Sequence, residues 1–173
     1  MLSSRRDIDK GVHTKVTLVG TEKCGKTSLA RRYVSGSFSP EYRQSLGAEV
    51  LVKDTAKTNK SAAANVHVWC VGGAERLKVF AQQYIVGSHV VGLCFDTTDA
   101  SSFEECVYWY NEIRRVSPSS AIFLVGTKTD MADEATLSAA EIEEQAKEWG
   151  IAYIPTSSKS GTSMLATCPA LHR

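Results

Sequence analysis

"GTEKCGKTS", residues 20–28, decides how the rest of the chain is read. It has the spacing G-x-x-x-x-G-K-[ST], follows the apolar run "KVTLVG" (15–20) and opens "KTSLARRYVSG" (26–36). The first run is rich in β-branched residues and predicts a strand. In the second, Leu29, Ala30 and Tyr33 recur at helical spacing and Gly36 is a stop. Strand, glycine loop and helix form the context that gives this pattern its chemistry. Consecutive backbone N–H groups at a helix N-terminus cradle phosphate. Gly20 and Gly25 permit the tight loop. Lys26 is placed for β- and γ-phosphates, the Thr27 hydroxyl for Mg²⁺ and Ser28 for an α-phosphate. The plain alternative, a chance match in a turn, does not explain the flanking elements.

Outward from this loop, strand-like and helix-like stretches alternate. "AEVLVKD" (48–54) and "NVHVWC" (65–70) read as two strands joined by the polar, Ala-rich "TAKTNKSAAA". "VVGLCFD" (90–96) and "AIFLVGT" (121–127) are near-continuous apolar runs, the mark of parallel strands buried on both faces. Between them "SSFEECVYWYNEIRRV" (101–116) predicts a helix with Phe103, Cys106, Val107, Tyr110 and Ile113 as its buried stripe. "SAAEIEEQAKEWG" (138–150) is a second amphipathic helix and "AYIP" (152–155) a last strand. The pattern predicts an α/β fold with a mostly parallel sheet and helices on both faces, in a single domain over 1–173 with a flexible segment at 1–12. Ligands of such sheets bind at the carboxyl ends of the strands.

Two further motifs fall at those ends. "GTKTD" (126–130) closes the 121–127 strand with a T-K-x-D pattern. The Asp130 carboxylate can accept from guanine N1–H and the 2-amino group together, and adenine offers neither donor. The stem of Lys128 can lie over the base plane. "TSSK" (156–159) follows the last strand, where the backbone N–H of Ser158 is placed for guanine O6 beside Ser157 and Lys159. A solvated loop would explain T-K-x-D alone equally well; after a phosphate loop, on this strand, it reads as a guanine selector.

Bulk properties exclude several classes. With 173 residues, 43% hydrophobic and 23% charged, the chain has the composition of a soluble domain with a full core. A net charge of +1 provides no field for nucleic acid or an anionic membrane. Five singly placed cysteines, Cys24, Cys70, Cys94, Cys106 and Cys168, read as reduced thiols of an intracellular protein. The N-terminal stretch lacks a signal-peptide core, and no run reaches transmembrane length. His67 and His89 lack a ligand-spaced partner and read as structural histidines.

With these motifs assembled, the chain resembles a Ras-superfamily small GTPase, most closely the Rab branch, over about residues 13–161. "YRQSLGAEV" (42–50) resembles the Rab segment Y-x-x-T-I-G-V-D-F, and "VHVWCVGGAERLKVF" (66–80) resembles L-Q-I-W-D-T-A-G-Q-E-R-F. Trp69, Glu75 and Arg76 match. The resemblance implies a six-stranded Ras-like fold that binds GTP or GDP with Mg²⁺. It also implies switch regions at about 38–47 and 71–84, which engage effectors, exchange factors or GAPs. Phe38, Trp69 and Tyr84 are candidates for an aromatic partner patch. A monomer working in the cytoplasm, peripheral to membranes through partners, is expected, as is a place in vesicle trafficking.

The departures from the pattern concern cutting more than binding. Cys70 stands where the family has the aspartate that approaches Mg²⁺. Ala74 stands at the catalytic glutamine position and cannot orient water. Gly73, the γ-phosphate sensor, is kept. Glu22 occupies a position beside the γ-phosphate that is usually small, where a carboxylate must turn outward or repel phosphate; Lys23 can pair with it or with phosphate. Ser45 replaces the threonine that caps Mg²⁺ and keeps the hydroxyl, so Thr27 and Ser45 are the expected metal ligands. Thr127 replaces the commoner asparagine. After "TSSK", "GTSMLATCPALHR" leaves room for only a short or missing last helix, interrupted at Pro169, with no prenylation motif. Two functional readings stay open: a slowly hydrolysing GTPase switch, and a GTP-loaded scaffold that does not cycle. A P-loop kinase would leave "TKTD" and "TSSK" unexplained.

Overall fold

A computed structural model of the chain describes residues 13–45, 47–54 and 65–162. The strand that feeds the phosphate loop, β1 (His13–Val19), leads into helix α1 (Lys26–Ser35). Strands β2 (Ala48–Lys53) and β3 (Asn65–Val71) follow, then a 3₁₀ turn (Glu75–Leu77) that runs into α2 (Lys78–Ile85). The remainder is β4 (Val90–Asp96), α3 (Ala100–Val116), β5 (Ala121–Thr127), a 3₁₀ turn (Ala132–Glu134), α4 (Ala139–Glu148) and β6 (Ala152–Pro155). The expectations for 1–12, for the 55–64 connection and for the last helix with Cys168 and Pro169 lie outside the described residues.

The six strands form one sheet of order β2-β3-β1-β4-β5-β6. Every neighbouring pair is parallel except β2–β3, which is antiparallel with Val50 opposite Trp69. Side-chain alternation sends successive residues to opposite faces. On one face Val16, Leu18, Val68, Cys70 and Cys94 pack with Leu29, Ala30 and Tyr33 of α1. On the other, Val19, Val91, Leu93, Phe95 and Leu124 pack with Ala81 and Ile85 of α2, Trp109 and Ile113 of α3, and Ile142 and Ala146 of α4. β4 is buried at all seven positions, as its unbroken apolar run requires. This is the expected α/β architecture, and it delivers the ends of β1, β3, β5 and β6 to one rim.

The predicted stripe of α3 needs one correction. Cys106 and Ile113 are fully buried and Phe103 and Tyr110 pack against that core, but Val107 is 49% exposed. Trp109 takes the central place at 0% exposure. Trp109 and Val107 lie about 200° apart around a helix, so the larger ring turns inward and Val107 outward. Helix ends follow the sequence closely. Ser138 and Glu141 close a reciprocal capping box on α4, and Asp99 caps α3 through Ser101 N. His67 stacks on His13 with ring centroids 4.4 Å apart, and His89 Nδ1 accepts from Lys15 N. Both are structural roles. Among the described residues no helix is long and apolar enough to cross a membrane.

Candidate functional site

The rim holds a cavity of about 460 Å³. At one end the phosphate loop wraps from Gly20 to α1. Gly20 has φ +139°, and a Cβ there would lie 2.0 Å from the Cys94 carbonyl oxygen, so no other residue fits. Lys26 is buried, and its Nζ donates to the carbonyls of Gly20 at 2.9 Å and Thr21 at 2.5 Å. Among the described residues no carboxylate pairs with this ammonium. α1 begins without a side-chain cap and without an acidic residue in its first turn. A buried cation and open helix N–H groups converge here, which is an anion site of phosphate type.

At the other end, Asp130 is oriented by Ser157, whose Oγ donates to Asp130 Oδ1 at 2.5 Å. Lys128, at φ 59°, sends its Nζ to Asp96 Oδ2 at 2.5 Å, so its stem is drawn along the cavity wall. Thr127 Oγ1 donates to the carbonyls of Cys24 at 2.6 Å and Phe95 at 3.0 Å. It therefore ties the end of β5 to the phosphate loop and couples the two ends of the site.

Of the sequence candidates, Glu22, Lys23, Gly25, Lys26, Thr27, Ser28, Ser45, Gly73, Thr127, Lys128, Asp130, Ser158 and Lys159 all line this cavity. Gly20, Cys24 and Ser157 stand behind the lining. Gly20 accepts from Lys26, Ser157 holds Asp130, and the buried Cys24 thiol donates to the Cys94 carbonyl. Asp96, which anchors Lys128, was not singled out from sequence; an acidic residue ending an otherwise apolar strand was the available signal.

The hydroxyls expected for Mg²⁺ also meet. Thr27 Oγ1 and Ser45 Oγ are 3.2 Å apart, although 18 residues separate them. Among the described residues no group of three or more His, Cys, Asp or Glu is arranged to hold a metal. The donor set is therefore two hard hydroxyl oxygens beside a phosphate cradle, which suits Mg²⁺ completed by phosphate and water oxygens. Cys70 adds no carboxylate. It is fully buried, its Sγ lies 3.9 Å from the Lys26 carbonyl, and burial, reinforced by the charge of Glu49, pushes its thiol up to about 12.

The loop after β3 presses against the phosphate loop. A Cβ on Gly73 would lie 2.3 Å from Thr21 C and 2.4 Å from Glu22 N, so glycine is required for the approach. Ala74, at 9% exposure, lines the same wall with a methyl group. The Glu22 carboxylate, in the lining of the same cavity, is engaged by the 38–44 segment, accepting from Tyr42 Oη at 2.7 Å and Gln44 Nε2 at 3.2 Å. Lys23, at φ 64°, places its Nζ 5.5 Å from the centroid of the Tyr42 ring. Tyr42 was visible in the sequence as the first residue of the Rab-like segment 42–50, while Gln44 carried no signal. Of the candidate partner residues, Phe38 is 39% exposed, while Trp69 and Tyr84 are half-buried with centroids 6.1 Å apart.

A parallel sheet with a phosphate loop after its first strand and a fixed carboxylate across the same cavity defines a P-loop nucleotide-binding protein. The family model of the Ras family matches residues 15–170, and the chain belongs to the Ras family. Its members are small GTP-binding switch proteins that generally bind GTP or GDP with Mg²⁺ and interact with regulators and effectors.

Proposed function

We propose that the chain is a Rab-like, monomeric, single-domain guanine-nucleotide switch of intracellular membrane traffic, with very slow intrinsic GTP hydrolysis. The observation that carries the nucleotide reading is the pairing of Lys26 and Asp130 across one cavity: a buried, carboxylate-free cation for phosphate and an oriented carboxylate for the base. Lys26, the N–H groups of residues 22–28 and Ser28 bind the phosphates. Thr27 and Ser45 hold Mg²⁺, which when bound neutralises phosphate charge. Asp130, Lys128, Ser158 and Lys159 take the guanine. The Rab-like segments 42–50 and 66–80 support the trafficking role, with partners docking at about 38–47 and 71–84.

Slow hydrolysis follows from what the wall lacks. Catalysis here is mainly positioning and charge stabilisation. Ala74 offers no hydrogen bond to water, and Cys70 no charge. The second reading, a GTP-loaded scaffold that does not cycle, is favoured by the burial of Cys70, a neutral thiol at physiological pH. Identifying the nucleotide released on denaturing freshly purified protein separates the two: GDP supports the switch and GTP the scaffold. An empty site, or an adenine nucleotide, contradicts both.

A further inference from the structure

The segment 38–44 has no regular secondary structure and is exposed throughout. Among the described residues, the hydrogen bonds that tie it to the body of the fold all end on one group, the Glu22 carboxylate. Tyr42 and Gln44 both donate to Glu22 Oε1, and Lys23 lies under the Tyr42 ring. The segment forms a wall of the cavity, with Phe38, Tyr42 and Gln44 in the lining.

We propose that Glu22 is a positioning residue that latches the 38–44 segment over the cavity through Tyr42 and Gln44, so that nucleotide retention depends on a bond within the protein and not on the γ-phosphate. This rests on the reading of the cavity as a guanine-nucleotide site. A carboxylate beside a phosphate cradle repels the ligand and hastens its departure. Bonded to two donors of the 38–44 segment, the same carboxylate retains it. The two roles of Glu22 therefore predict opposite signs on its removal. Tyr42 stays a donor across the neutral range, since burial and the bond and charge of Glu22 push its phenol up to about 12.

The test is stopped-flow release of fluorescent GDP and GTP analogues from the full chain, comparing wild type with Tyr42→Phe, Glu22→Ala, Glu22→Gln and the Tyr42→Phe/Glu22→Ala pair. Hydrogen bonds to charged groups predict release about tenfold faster for Tyr42→Phe and for Glu22→Ala. The pair should be no faster than the quicker single variant, and the factor should be equal for di- and triphosphate. Glu22→Gln, which keeps an acceptor, should fall between. Slower release from Glu22→Ala would show that repulsion dominates and overturn the latch. Unchanged release from Tyr42→Phe, or effects that multiply in the pair, would overturn it as well. Failure of the wild type to bind either analogue would instead overturn the reading of the cavity. Amide exchange of 38–45 in nucleotide-free protein then decides the latch alone: Tyr42→Phe must raise it, and an unchanged rate contradicts the proposal.

Discussion

Ser157 Oγ donates to Asp130 Oδ1 at 2.5 Å, joining the loop after β6 to the loop after β5. The bond takes one acceptor site of Oδ1 and leaves the remaining lone pairs of both carboxylate oxygens for a ligand. Asp130→Asn should lose guanine preference and favour xanthosine triphosphate, whose 2-oxo group needs a donor. Ser157→Ala should keep the guanine preference and weaken affinity about tenfold, the scale of one hydrogen bond to a charged group. Competition binding with GTP, XTP and ATP checks both variants. Equal affinity for GTP and ATP in the unmutated chain would remove the selector role.

The proposed magnesium site makes a prediction at Cys70. With Thr27 and Ser45 as the protein oxygens, chelating Mg²⁺ should change nucleotide release less than in a relative that carries the aspartate. Cys70→Asp should steepen that dependence. Release rates measured across a Mg²⁺ titration report it, and identical curves for the two proteins would sink the assignment.

Hydrolysis should respond to groups around the phosphate end as a unit. Ala74→Gln alone restores little, because Glu22 still keeps a carboxylate in the cavity lining and Cys70 still supplies no charge. The triple variant Glu22→Gly, Cys70→Asp, Ala74→Gln should exceed the product of the three single effects in single-turnover assays of pre-bound GTP. Simple multiplication of the singles would show that the positions act independently.

Much of this was legible in the sequence, for physical reasons that differ by element. β4 and β5 were readable because strands buried on both faces need unbroken apolar runs. The phosphate loop was readable because phosphate binding by backbone N–H groups forces glycines and a lysine at fixed spacing. The stripe of α3 was less so: Val107 and Trp109 are both apolar, and tertiary packing, not periodicity, gives Trp109 the interior. Lys128–Asp96 and Glu22–Tyr42 could not be read, since each spans 20 or more positions and depends on where the folded loops meet.

Alkaline pH should destabilise the fold through its buried thiols. Burial pushes Cys70 up to about 12 from an ordinary 9.0, and Cys94 and Cys106 shift in the same direction. A raised folded-state value leaves stability intact below about pH 9 and removes it as pH climbs towards 12. Three units correspond to at most about 4 kcal/mol for Cys70. Urea midpoints measured between pH 7 and 11 should fall above pH 9, and the fall should be shallower in Cys70→Ala. Superimposable curves would mean that Cys70 does not contribute.

Guanine binding and a disarmed wall meet in one measurement: loading the full chain with GTP against an excess of ATP and following the bound nucleotide by chromatography under single-turnover conditions. The prediction is that GTP loads despite the ATP and remains largely uncleaved for hours. Loading of ATP in its place, or conversion of bound GTP to GDP within minutes without any partner, would contradict it.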